Sequence, residues 1–106
     1  MTTFDKREKA FEDKYKHDQD LQFKVEVRRN KLLGLWVGEL LGLSGADADA
    51  YAKEVVSSDF EEPGDADVVR KIQGDLEAQG QEMSEHRLRN KMDELTAVAK
   101  QQIMTE

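Results

Sequence analysis

The chain has no cysteine, a single proline, and no Leu, Ile or Val before Leu21. Without cysteine, disulfides and thiolate metal sites are excluded, and a reducing, cytoplasmic setting fits. No stretch approaches the roughly 18 uncharged apolar residues of a membrane span, and the start lacks the basic patch and apolar run of a signal peptide. Nor is there an excess of positive charge. The net charge is −7, so no basic surface is available to release counterions from a phosphate backbone, which argues against nucleic acid as a partner. The missing aliphatic residues are the most informative absence. A segment that belonged to a packed core would carry them.

What remains is a chain of 106 residues, 37% charged and 38% hydrophobic. That length supports one modest core, and the composition is not sparse enough in apolar residues for wholesale disorder. The charge is unevenly placed: −1 over residues 1–20, +2 over 21–43, −9 over 44–85 and +1 over 86–106. The acidic middle reads first as a solvated helix face.

Glycine and proline cluster in GLSG at 42–45, EEPGD at 61–65 and QGQEMS at 79–84, and they cut the chain into four helical segments. Over 21–43, Val25, Leu32, Trp36, Leu40 and Leu43 recur at helical spacing. Ser44 is placed to cap a second helix, about 46–60, with Ala48, Tyr51, Ala52, Val55 and Val56 on one stripe. Asp65 is placed to cap a third, with Val68, Val69, Ile72 and Leu76 inward. Ser84 is placed to cap a fourth, carrying Leu88, Met92, Leu95, Ala99 and Ile103. None can hide its stripe alone, so the expected fold is all-α, a four-helix bundle over 21–106 with a flexible or helical N-terminal extension over 1–20. Trp36 and Phe60 are its expected large core residues, and Tyr51 is expected at the edge with its hydroxyl in water.

Gly34, Gly38 and Gly42 stand four residues apart in LLGLWVGELLG. Each costs about 0.5 to 1 kcal/mol inside a helix, so something gains from the missing side chains: a helix approaching closely, or a ligand docking on that face. Catalytic chemistry has no foothold. There is no phosphate-binding loop. DADAY at 47–51 starts like a calcium loop but has Ala52 where glycine is needed and Ser58 where a bidentate Glu is needed. His17 and His86 are far apart in sequence and read as surface or helix-end residues. No nucleophile and base are paired by any pattern. The chain reads as a non-enzyme.

At 100° per residue, Phe4, Phe11 and Tyr15 fall within about 40° of one another, forming one narrow aromatic ridge. Charged residues surround it. Asp5 with Lys9 and Glu12 with Lys16 attract across one turn, whereas Glu8 with Glu12 repel, which supports a helix only weakly. Asp18 and Gln22 interrupt the apolar stripe before Val25. The ridge therefore belongs either to the tip of the bundle or to a tethered peptide whose aromatic anchors enter a groove on a partner. Pattern alone leaves both open.

Four stretches, TTFDKREKAFEDKY, RRNKLLGLWVGELLGL, AYAKEVV followed by DFEEPGD, and KMDEL, resemble the zeta inhibitor subunit of the F-type ATP synthase of alphaproteobacteria. The resemblance covers nearly the whole chain and departs mainly in the acidic middle and in QGQEMSEHR. It implies a protein that blocks ATP hydrolysis by the soluble catalytic head at the cytoplasmic face of the inner membrane, without entering the membrane. The inhibitory part would be the N-terminal segment: Phe4, Asp5, Lys6, Arg7, Glu8, Lys9, Ala10, Phe11, Glu12, Lys14 and Tyr15. It would lodge as a helix between alpha and beta subunits near the central rotor. The free protein would be a monomer needing no cofactor. Weak nucleotide binding is sometimes associated with the family, and no residue here is assigned to it. The alternatives are a non-inhibitory helical adaptor, self-associating through its ridge, or a nucleotide-binding bundle.

Overall fold

A computed structural model describes residues 3–59 and 64–106, with side chains from Lys9 onward. Five helices follow one another: α1 Thr3–His17, α2 Gln19–Leu40, α3 Gly45–Ser58, α4 Ala66–Glu77 and α5 Glu85–Thr105. No strand occurs among the described residues. The fold is all-α, as expected. The four predicted segments are α2 to α5, and the N-terminal segment adds a helix of its own.

The helix α2 is the hub, packed against α3 on one side and α5 on the other, while α4 closes the bundle against α3 and α5. Its buried line runs through Val25, Arg29, Leu33 and Val37, one turn apart. This corrects the expected stripe: Leu32, Trp36 and Leu40 are half-buried on its flank, and Leu43, half-buried too, lies beyond its end. The polar residue at 29 and the glycines at 34 and 38 hide the true centre line from a reading by hydropathy. Trp36 is accordingly not a central core residue. It leans against the core with the Lys91 ammonium 5.0 Å from its ring centre. Phe60 lies outside the described residues.

On α4, Val68, Val69, Ile72 and Leu76 are all buried, as their spacing requires, and Leu88 and Met92 of α5 join them in one core, with Ala99 of α5 buried as well. Fully burying one such aliphatic side chain is worth about 1.5 to 3 kcal/mol. Tyr51 is also buried, at 7% exposure, which corrects the expectation of a wet edge position. Its hydroxyl donates to Asp75 Oδ2 at 2.7 Å, so the polar end is satisfied without water.

Gly34 explains how closely α2 and α3 approach. A Cβ there would stand 2.5 Å from the Ala52 Cα, a backbone atom that cannot swing away. The glycine face is thus occupied by α3, the close-packing alternative of the two. Gly42 does not belong to it. It lies beyond the end of α2 at φ +79°, with Gly42 N–H donating to Glu39 O at 3.0 Å and Leu43 N–H to Gly38 O at 2.8 Å. That pair of bonds closes the helix end, and the left-handed conformation suits glycine.

The helix starts differ from one another. Ser84 accepts from Arg87 N–H at 3.1 Å, as expected. Ser44 and Asp65 occupy the capping positions of α3 and α4 but make no side-chain capping bond. Asp65 is instead committed to Arg29.

Candidate functional site

The residues singled out in sequence sit on α1, and the break after it has an identifiable chemistry. Asp18 is extended (φ −113°, ψ 105°), and its carboxylate accepts from Leu21 N–H at 3.2 Å, capping α2. Gln22 reaches back and donates to Tyr15 O at 3.0 Å, covering an end carbonyl of α1. Lys14, Lys16 and His17 in the last turn of α1 complement its negative end. The two residues that interrupt the apolar stripe are therefore the ones that separate the two helices.

Of the expected site residues, Phe4, Asp5, Lys6, Arg7 and Glu8 have helical backbone in α1, and their side chains lie outside the described residues. Lys9, Ala10 and Lys14 are exposed, whereas Phe11, Glu12 and Tyr15 are half-buried. The last three face α5. Phe11 and Glu12 border a hollow of about 200 Å³ with Thr96, Ala97, Lys100 and Met104 on its far side. Lys100 Nζ lies 3.4 Å from Glu12 Oε2 and 4.2 Å from the centre of the Tyr15 ring. Burial, with the Glu26 carboxylate adding to it, raises the Tyr15 phenol above its ordinary value. Two rings of the ridge are thus parked on the bundle, half-covered, behind one cation. Lys100 went unnoticed in the sequence because nothing local links residue 100 to residue 12.

A second polar constellation is built into the bundle itself. Arg29, 7% exposed, donates to both oxygens of Asp65 at 2.8 and 3.2 Å, and its Nε donates to Asn30 Oδ1 at 3.0 Å. Asn30 in turn donates to Asp59 Oδ2 at 3.0 Å. Burial raises the Asp59 carboxyl above its ordinary value, with Asn30 and Arg29 opposing and Asp65 and Asp67 assisting. The acidic middle is therefore not only a solvated face. Asp59, Asp65, Asp67 and Asp75 turn toward cations or hydroxyls and Glu54 pairs with Lys71 at the surface, while Asp47 and Asp49 stay exposed. The RRN of RRNKLLGLW is explained by packing: Arg28 pairs with Gln102 and Glu106, and Arg29 and Asn30 tie α2 to the ends of α3 and α4.

His17 and His86 are exposed, as expected. Among the described residues no group of three His, Cys, Asp or Glu side chains is arranged to hold a metal, and no helix is long and apolar enough to cross a membrane.

The fold defines a small helical bundle carrying one appended amphipathic helix. The chain belongs to the ATPase inhibitor subunit zeta family, whose family model matches residues 1–102. It is also similar to a protein solved in solution by NMR, with 55% identity and a TM-score of 0.71, over 80% of this chain and 96% of that one. No curated protein matches it.

Proposed function

We propose that the chain inhibits ATP hydrolysis by the F-type ATP synthase, with α1 as the inhibitory element and α2 to α5 as its carrier. The observation that carries this reading is the parked ridge. Phe11 and Tyr15 are only half-covered by the bundle, and Lys100 holds Glu12 and the Tyr15 ring, across a helix break from the core. An aromatic surface that its own bundle covers incompletely has affinity to spare for a better-fitting groove.

The mechanism is steric. The helix enters an interface between alpha and beta subunits near the central rotor, Phe4, Phe11 and Tyr15 fill apolar pockets there, and the surrounding charges select the register. An interface that must open during hydrolysis is then wedged shut, and rotation in the synthetic direction expels the wedge. The inhibitor makes and breaks no covalent bond. Its place is the cytoplasmic face of the inner membrane, reached through the synthase, and family membership supports that partner.

The test is direct. The full-length chain is added to the isolated catalytic head of its host's synthase and ATP turnover is followed. Turnover falls to a low plateau as the inhibitor saturates. Unchanged turnover at large molar excess overturns the proposal.

A further inference from the structure

Along the outer face of α2, Phe23, Val27 and Lys31 follow one another at one-turn intervals, and two surface hollows adjoin them, sharing Val27 and Lys31. One, about 610 Å³, is bounded on α3 by Ala52, Lys53 and Val56. The other, about 440 Å³, is bounded by Lys24 and by Ile103 of α5. They flank that row on its α3 and α5 sides, and the grooved strip of surface so formed is lined by Val27, Val56 and Ile103 together with Lys24, Lys31 and Lys53. Its length along α2, eight residues at 1.5 Å rise, is about 12 Å, roughly two helical turns. Phe23 is 52% exposed at one end.

The lysines are what make this groove unusual. Residues 19–106 contain eleven Lys and Arg. Arg28, Arg29, Arg70, Lys71, Arg89, Lys91 and Lys100 each pair with a carboxylate. Among the described residues, Lys24, Lys31, Lys53 and Arg87 do not, and the first three all line this groove. In a chain of net charge −7, carboxylates are plentiful, so leaving three cations unanswered around one apolar strip preserves local positive charge on a molecule that is negative as a whole.

We propose that this groove docks an acidic amphipathic helix of the catalytic head, fixing the bundle beside its target while α1 acts. The inference rests on the inhibitor reading. Apolar side chains of the partner cover Val27 and Val56, and its carboxylates meet Lys24, Lys31 and Lys53. Charge complementarity selects an acidic partner and speeds its capture, and the apolar strip holds it. A flat anionic membrane fits less well, because Asp49 and Glu106 border the same hollows and the molecule as a whole is repelled.

The experiment measures equilibrium binding of full-length chains to immobilised catalytic head at low and moderate salt, with far-UV circular dichroism confirming helix content. Phe4→Ala/Phe11→Ala/Tyr15→Ala removes the wedge and isolates the groove. That variant still binds, and its affinity falls as salt rises. Adding Lys24→Glu, Lys31→Glu and Lys53→Glu weakens its binding about tenfold or more and flattens the salt dependence, and Val27→Asp alone also weakens it. Arg87→Glu, the same charge change away from the groove, leaves binding unchanged. The inference is overturned if the ridge variant does not bind, if the groove reversals leave its affinity intact, or if they abolish binding to anionic vesicles and not to the head. Groove-dependent binding by a wild-type chain that leaves turnover untouched would instead overturn the inhibitor reading and leave this one standing.

Discussion

Helix α4 has 12 residues and α1 has 15, yet the shorter one is the better anchored. Four aliphatic side chains of α4 are buried completely or nearly so, whereas no described side chain of α1 is. Aliphatic residues make α4 part of the core. α1 carries rings and charges, and it touches the bundle through contacts that trade easily for others. The difference shows how one short chain divides stability from availability: the residues that hold the fold are not the ones left half-covered at its surface.

The largest test of that division is Ile72→Ala. It removes buried carbon from the centre of the core and leaves a void, at a cost of about 2 to 5 kcal/mol. Urea unfolding followed by circular dichroism will show the midpoint falling by a matching amount. A change below about 0.5 kcal/mol would mean that α4 is no better anchored than α1.

Next comes the counterpart on α1. Phe4→Ala/Phe11→Ala/Tyr15→Ala is expected to abolish inhibition at concentrations where wild type saturates, since aromatic anchors at an interface are commonly worth about 2 kcal/mol or more each, without summing simply. The urea midpoint will move by no more than about 1 kcal/mol, because Phe11 and Tyr15 are only half-covered. If the triple variant unfolds the bundle and its folded fraction still inhibits, the ridge belongs to the core.

Much of this contrast was legible in the residue pattern. The aliphatic stripes of α3, α4 and α5 identified nearly the residues that are buried, and Asp18 and Gln22 marked the helix break. What could not be read depended on side chains finding partners far along the chain. Arg29 occupies a core line because Asp65, 36 residues on, answers its charge. Tyr51 went inside because Asp75 could take its proton donor. Gly42 left the glycine face because α2 ends at Leu40, a boundary that apolar periodicity does not mark. Lys100, the group that holds the ridge, is 88 residues from Glu12.

Lys100→Ala sharpens the comparison from the bundle's side. It deletes an ion pair and a cation–π contact, together about 1 kcal/mol at a partly exposed position. If docking on α5 competes with docking on the catalytic head, the half-inhibitory concentration will fall about fivefold, with bundle stability nearly constant. An increase would mean that the contact presents α1 to its partner and does not restrain it.

The smallest expected effect concerns pH and lies wholly within the bundle. Asp59 has a side chain 12% exposed, 3.9 Å from Arg29, which Asp65 engages at 2.8 Å. Burial dominates, so its carboxyl is raised above the ordinary value. A raised folded value means that the native state holds a proton the unfolded chain has already released. The stability linked to that proton is present below the unfolded value and is lost as pH rises through the folded one. The comparison to make is wild type against Asp59→Asn, which cannot titrate and still offers Asn30 an acceptor. As pH falls from neutral into the carboxylate range, the unfolding free energy of wild type will gain on that of the variant, by less than any change above. A gap moving the other way would mean that Arg29 stabilises the charged form of Asp59 more than burial penalises it, and that the guanidinium is shared between two carboxylates, not committed to Asp65.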